Sequence, residues 1–471
     1  MFTLIFLKEL RDIIQSSRFT ISFAACSVLI ILGFLMGAQN YLGSLRQYEA
    51  AIEENRNQIA AETNWAQVDN SIMLPPRPLQ ALVNGISNDI GRTIPISGRG
   101  ELRPQNTRFN DEPLFAIFRF MDLEFIFGIV LSLFAIIFAY DSVNGEKQNG
   151  TLKLCFSNAV SRAAFIGGKL AGSFVGLSIA LLIPILIGCA LLPVLGITLT
   201  QSEWIRLGLI ILSGLTYFGI FLAIAMGISA STARPSTSFL LCLVVWIFSV
   251  LIIPRASVLV SGRLIEVPNV DEIASQKNQY RLQLFDEDRE KMASFEGSEE
   301  TEPQDLMREF SSFMGELAEE RTKKVELFSQ RLNEDYLNKQ TEQTKLALRV
   351  SKISPSTVFT LASTELAGTS LHLQNVYLES ANSYQEQYGK FIAEKTGQNS
   401  GSGFRMIVVS SGDGEEEPET LDPEEMPQFE FAGLTTEQVL ERSVIDIGLL
   451  VLFNIIFFGG AFYAFLRYDL R

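Results

Sequence analysis

Six stretches of about 18 or more apolar residues, each long enough to cross bilayer hydrocarbon as a helix, divide the chain into apolar and polar territory. They run over 19–42, 120–140, 170–199, 205–230, 237–253 and 443–466. The pattern predicts a mainly α, polytopic membrane protein with about six transmembrane helices. The first run is too long for a signal-peptide core and no small-residue cleavage site closes it, so a retained span is expected. The first of the three runs within 170–253 exceeds what a bilayer needs. It contains Pro184 and Pro193, which predict a tilt or a break near its far end.

The polar territory has its own periodicities. In residues 1–18, Leu4, Ile5, Leu7, Leu10, Ile13 and Ile14 alternate at helical spacing with Lys8, Glu9, Arg11, Asp12 and Gln15. This predicts an N-terminal amphipathic helix at the membrane interface; the alternative is an ordinary first turn of the first span. In the loop 43–119 the start is polar and helix-compatible, and Pro75, Pro76, Pro78, Pro95 and Pro104 then force turns and extended chain. The segment 254–442 contains two charge-laced stretches, 271–295 and 304–349, with apolar residues at steps of three and four. They predict an antiparallel helical hairpin broken by the turn at 297–303. A further helix is expected from Pro355, and 404–410 with 428–431 alternate like two short strands, giving a largely helical domain with a small β element.

Charge is concentrated. The net charge is -15, and residues 255–442 alone carry 35 carboxylates against 19 lysines and arginines. Such a balance repels nucleic acid, so no nucleic-acid partner is expected. In the short loops the bias reverses: Lys8, Arg11 and Arg18, then Lys147, Lys153, Arg162 and Lys169, then Arg234, and finally Arg467 and Arg471 all fall on one side of alternating spans. By the positive-inside rule both termini, the loop 141–169 and the tail 467–471 are cytoplasmic, while 43–119 and 254–442 are extracytoplasmic. Cys26, Cys189 and Cys242 lie in spans and Cys155 in the loop, so no disulfide is expected to staple the external part.

Candidate chemistry is sparse. Gly167-Gly168-Lys169 lacks the upstream glycine, the following Ser or Thr and the preceding strand of a phosphate-binding loop, so any ATP hydrolysis is expected from a partner. The lone His372 and the acidic run Glu415–Glu417 give no metal-binding pattern, and no catalytic residue is expected. Glu124 and Asp446 stand near span ends, leaving Asn454 as the deep polar group. That disfavours a secondary carrier, which needs ionisable groups at mid-membrane. Gly168, Gly172 and Gly176, four apart, would let a second helix pack closely.

The polar loop 141–169 carries the most specific signal. Asp141, Glu146, Gly150-Thr151-Leu152 followed by Lys153, then Ser157, Arg162 and Lys169, resemble the connector after the second span of ABC type-2 exporter permeases. Ala159 and Val160 stand where that family usually has a proline. Ser354-Pro355, Phe359 and Ala367-Gly368-Thr369 resemble the extracytoplasmic segment of a subfamily with a large domain between spans five and six. The resemblance implies a non-catalytic permease in the bacterial cytoplasmic (inner) membrane, paired with a second permease copy, identical or not, and with two ABC ATPase subunits. ATP and Mg would sit on those subunits. It further implies that Glu146 bonds the ATPase or braces the connector, that Gly150 turns it, and that Arg162 and Lys169 anchor it at lipid headgroups. An alternative function is a mechanotransmission complex acting on an envelope protein through the external domain.

Overall fold

The computed structural model describes residues 1–65, 68–87, 90–96, 102, 122–157, 160–294, 303–396 and 421–467. Among the described residues, six helices are long and apolar enough to cross a membrane: α2 (Ser17–Ala61), α3 (Leu123–Gln148), α5 (Arg162–Val194), α6 (Gln201–Ser231), α7 (Pro235–Leu264) and α12 (Thr436–Leu466). The mainly α, polytopic architecture is therefore observed. Before them lies α1 (Phe2–Ile14), and α4 (Thr151–Ser157) forms the tip of the loop after α3. Caps fix the boundaries: Ser16, Ser161 and Asp122 each accept a backbone N–H at the start of α2, α5 and α3. Thr200 with Glu203 and Thr435 with Gln438 form reciprocal capping boxes on α6 and α12.

Several elements differ from the sequence reading. Helix α5 runs unbroken through Pro184 and Pro193 to Val194, because within a bundle neighbouring groups compensate the backbone positions a proline frees. Helix α2 continues for 45 residues, about 68 Å, far beyond a single bilayer crossing. Spans α3 and α7 each contain a wide π turn, Ile126–Leu131 and Ile247–Ile252. At the first, the Gly128 carbonyl accepts from Tyr217 Oη at 2.9 Å and from Ser132 Oγ at 2.7 Å, and Ser132 Oγ accepts from Trp246 Nε1 at 2.8 Å. Buried hydroxyls thus satisfy carbonyls that the irregular turn exposes.

The chain divides into two compact units, residues 1–250 with 355–471, and residues 251–354. Hydropathy sets 254–442 apart as one segment; the contacts instead split it after Ser354. In the first unit, α10 (Pro355–Ala367) packs between α6 and α12, and Phe359 lies 5.0 Å from Tyr217 and 5.9 Å from Phe127. Beyond it, the two long polar segments 43–119 and 254–442 share one core: Ile59 from the end of α2, Ile72, Ile94 and Ile96, and Leu373, Tyr377, Tyr384 and Tyr388 from α11 (Leu371–Thr396). Strands β1 (Asn70–Met73) and β2 (Thr93–Ile96) pair antiparallel with Asn70 opposite Ile96. Tyr377 Oη donates to the carbonyls of Ile72 and Arg92 and so pins this ribbon to α11. The small β element thus lies in the loop 43–119, where proline-rich sequence hides it. Residues 428–431 form no ladder among the described residues and set Phe429 and Phe431 against Tyr377. Their anticipated partner, 404–410, lies outside the described residues.

The second unit contains the hairpin of α8 (Val270–Ala293) and α9 (Pro303–Ser351). Tyr280 stacks on Phe328 at 4.1 Å and Arg321 bonds Asp288 at 2.7 Å, a register that makes the helices antiparallel.

Candidate functional site

The loop after α3 is built from its own turn outward. The chain leaves the apolar part of α3 at Tyr140, turns, and forms a short helical segment, Asn144–Gln148. Gly150 then adopts φ +73°, a left-handed conformation that glycine takes without penalty, and α4 begins. Across this corner Thr151 Oγ1 donates to the Glu146 carbonyl at 3.3 Å.

Four helices hold the corner in place. At α6, Ser229 Oγ accepts from the backbone N–H groups of both Val143 and Asn144 at 3.1 Å. Asn144 Nδ2 donates to Thr232 Oγ1 at 3.0 Å, and the Lys147 ammonium donates to the Ala230 carbonyl. Lys147 thereby neutralises carbonyls left open at a helix C-terminus. At α2, Arg18 pairs with Asp141 at 2.7 Å. At α12, Arg162 Nη1 donates to the carbonyls of Leu466 at 2.5 Å and Phe465 at 3.5 Å, while Phe156, Phe165 and Phe465 form an aromatic triad.

The fourth attachment is ionic. Lys169 is 4% exposed and its Nζ lies 2.8 Å from Glu9 Oε2 and 3.0 Å from Glu146 Oε1. Lys8 approaches Glu146 at 3.6 Å, so two lysines face two carboxylates. The network ties α1, α3 and α5 together. Helix α1 reaches it because α5 presents glycine: a Cβ on Gly168 would stand 3.0 Å from Ile5, on Gly172 2.9 Å from Glu9 Cβ and the Phe6 carbonyl, and on Gly176 3.0 Å from Leu10. The close second helix is α1 itself, laid along α5.

The expected anchoring at lipid headgroups does not fit Lys169, which is buried among carboxylates. Arg162 is partly buried and donates to the carbonyls at the end of α12. Glu146 Oε1 pairs with Lys169 and the side chain is 15% exposed. Leu152 points inward with Val143, Phe165 and Met226. The outward surface consists of Gln148, Asn149, Gly150, Thr151, Lys153, Leu154 and Ser157, and Leu154 is 69% exposed. Sequence reasoning missed Glu9, Asn144, Ser229, Thr232 and Leu154. One signal was available: Glu9 shares its helix face with Phe2, Ile5, Phe6 and Ile13, where a carboxylate needs a partner.

The corner thus presents an outward tip while it is fixed to three spans, α2, α6 and α12, and to α1. The model of the ABC-2 family transporter protein matches residues 3–470. The chain belongs to this family. It is thus a multi-pass transmembrane component of an ABC transporter. As an ABC-2 member it is also similar to two proteins named probable ABC transporter permease protein NosY. That of Stutzerimonas stutzeri is 32% identical over 127 residues, 26% of this chain and 45% of the relative. That of Pseudomonas aeruginosa is 32% identical over 130 residues, 27% of this chain and 46% of the relative. The similarity spans less than half the length of these curated relatives.

Proposed function

We propose that this ABC-2 member is the permease subunit of an ATP-driven exporter, and that separate ATPase subunits dock on the tip formed by residues 148–157. The basic short loops put that tip and both described ends of the chain in the cytoplasm. Two permease chains and two ATPases form the working assembly, with ATP and Mg on the ATPases.

The observation that carries this reading is the contrast within α4 and its corner. Leu154 is 69% exposed beside Lys153, whereas Leu152 is 2% exposed. An exposed leucine at the end of a rigid corner suits a hydrophobic socket on a partner. Closure of the ATPase dimer pushes the tip, and the corner passes displacement to α1, α2, α6 and α12 through its polar attachments. Glu146 acts as the brace that keeps α1 moving with the corner.

Replacing Leu154→Asp is expected to abolish co-purification of the ATPase while the permease remains folded and monodisperse. Undiminished co-purification would refute docking at this tip.

A second reading has one observation in its favour. The hairpin of α8 and the 49-residue α9 forms a unit with its own packing, suited to transmitting force to an envelope partner. In that mechanotransmission reading, ATP drives the hairpin without cargo passing between spans.

A further inference from the structure

At the end of the bundle opposite the connector stand two arginines, and the charge of one acts on the other. Arg206, in the second turn of α6, is 8% exposed, and its Nε and Nη1 have no hydrogen-bond partner among the described residues. It shares a helix face with Ile210, Ser213 and Tyr217, all buried. Arg77 precedes the 3-10 turn Pro78–Ala81 and stacks its guanidinium 5.5 Å from the Phe431 ring. The same guanidinium fills the space beside two left-handed glycines: a Cβ on Gly368, after α10, would stand 2.8 Å from Arg77 Nη1, and a side chain on Gly433, before α12, has no room at all. The first external loop, the end of α10 and the start of α12 therefore meet around one cation, with α6 supplying the second.

The charges do not balance. Burial holds the Arg77 guanidinium below its ordinary range, the neighbouring charge of Arg206 lowers it further, and Glu203 works in the opposite direction. Glu203 is the one carboxylate whose charge acts on both arginines among the described residues. Its Oε2 is already occupied by Thr200, whose N and Oγ1 approach at 2.8 and 2.9 Å. Two guanidinium groups thus share one engaged carboxylate. A buried donor left unbonded costs stability, and more when it is charged. A fold that retains such a group without a partner pays this in every unliganded molecule, which a bound anion would reverse.

We propose that Arg206 and Arg77 form a binding site for an oxyanion, a phosphate or carboxylate group. The source is either the headgroup of an anionic lipid or a soluble anion. Arg206 supplies the free donors and Arg77 the second charge, with the glycines at 368 and 433 leaving room for the Arg77 guanidinium itself. The site stands apart from the connector and does not depend on ATP coupling.

The test uses the purified full-length permease in a low-salt, phosphate-free neutral detergent. Dihexanoyl phosphatidylglycerol and inorganic phosphate are titrated separately, and binding is read by native mass spectrometry and by the unfolding midpoint. Wild type is expected to bind at least one probe about tenfold or more tightly than Arg206→Gln, the loss expected for charge-assisted hydrogen bonds. Preference for the lipid identifies a headgroup site; equal response to phosphate identifies a soluble anion. Without anion, Arg206→Gln is expected to unfold no earlier than wild type, because it removes an uncompensated buried charge. A purely structural arginine would lower that midpoint. Arg77→Gln, at the edge of the site, gives a second variant and is expected to weaken the same probe. Binding of both probes by Arg206→Gln and Arg77→Gln as tightly as by wild type, or by none of the three proteins, overturns the proposal.

Discussion

Lys169 is the side chain whose removal should do the most damage at the connector. It is the only group bonded to both Glu9 and Glu146 among the described residues, and it sits 4% exposed where water cannot replace it. Lys169→Met strips the largely buried Glu9 and Glu146 carboxylates of the cation they share and is expected to cost about 3–5 kcal/mol, seen as a lower unfolding midpoint and poor recovery from membranes. The triple change Lys169→Met, Glu9→Gln, Glu146→Gln removes all three charges and is expected to recover most of that loss. If the triple variant is no better than the single one, the ionic account of this site is wrong. At Gly150 the demand is conformational, since no atom lies within 4 Å of an added Cβ. Gly150→Asn, which tolerates left-handed backbone, is expected to keep ATPase stimulation, whereas Gly150→Val is expected to lose much of it. Equal activity in the two variants would show that the corner does not need its positive φ.

Among the elements, α1 has the most unusual support, a glycine stripe on α5 that brings the two backbones together. Gly172→Leu would place its side chain against Glu9 Cβ and the Phe6 carbonyl, already within 2.9 Å of a bare Cβ. Neither can withdraw without lifting α1, so overpacking by about 1–3 kcal/mol is expected. Limited proteolysis should then cleave within the first 16 residues faster than in wild type; unchanged protection would mean that α1 is held elsewhere. This element also shows what the sequence discloses. The amphipathic period of residues 1–18 and the glycine spacing of α5 were both legible, because each is local. That they are two halves of one contact was not, since pairing requires the tertiary arrangement. The same division holds at the connector: the motif marks Glu146, Gly150 and Lys169, but only the fold separates the bracing residues from the outward face at Leu154. The β1–β2 ribbon was missed because four-residue strands amid prolines carry too little alternation, and it is pinned by Tyr377, 285 residues after Arg92.

For the whole molecule, the division into two units makes a separable prediction. Within the second unit Gln343 Nε2 donates to the Ile265 carbonyl at 2.7 Å, so the chain enters and leaves the α8–α9 hairpin at neighbouring points. A short Gly/Ser linker joining Glu266 to Glu342 can therefore remove the hairpin without stretching the rest. The shortened permease is expected to assemble with its ATPase and retain ATP hydrolysis; loss of assembly would show that the hairpin is needed by the bundle. Should cargo export survive as well, mechanotransmission through the hairpin is excluded.

The central claim is that the corner's outward face meets an ATPase in the cytoplasm. The most direct measurement places a photo-crosslinking amino acid at position 154 of the full chain in living cells and identifies the adduct after irradiation. The account predicts a covalent product with an ABC ATPase, lost in the Gly150→Val background, and no reaction of a cysteine at 154 with membrane-impermeant maleimide added outside. Labelling from outside, or an irradiated permease that captures no ATPase, would contradict it.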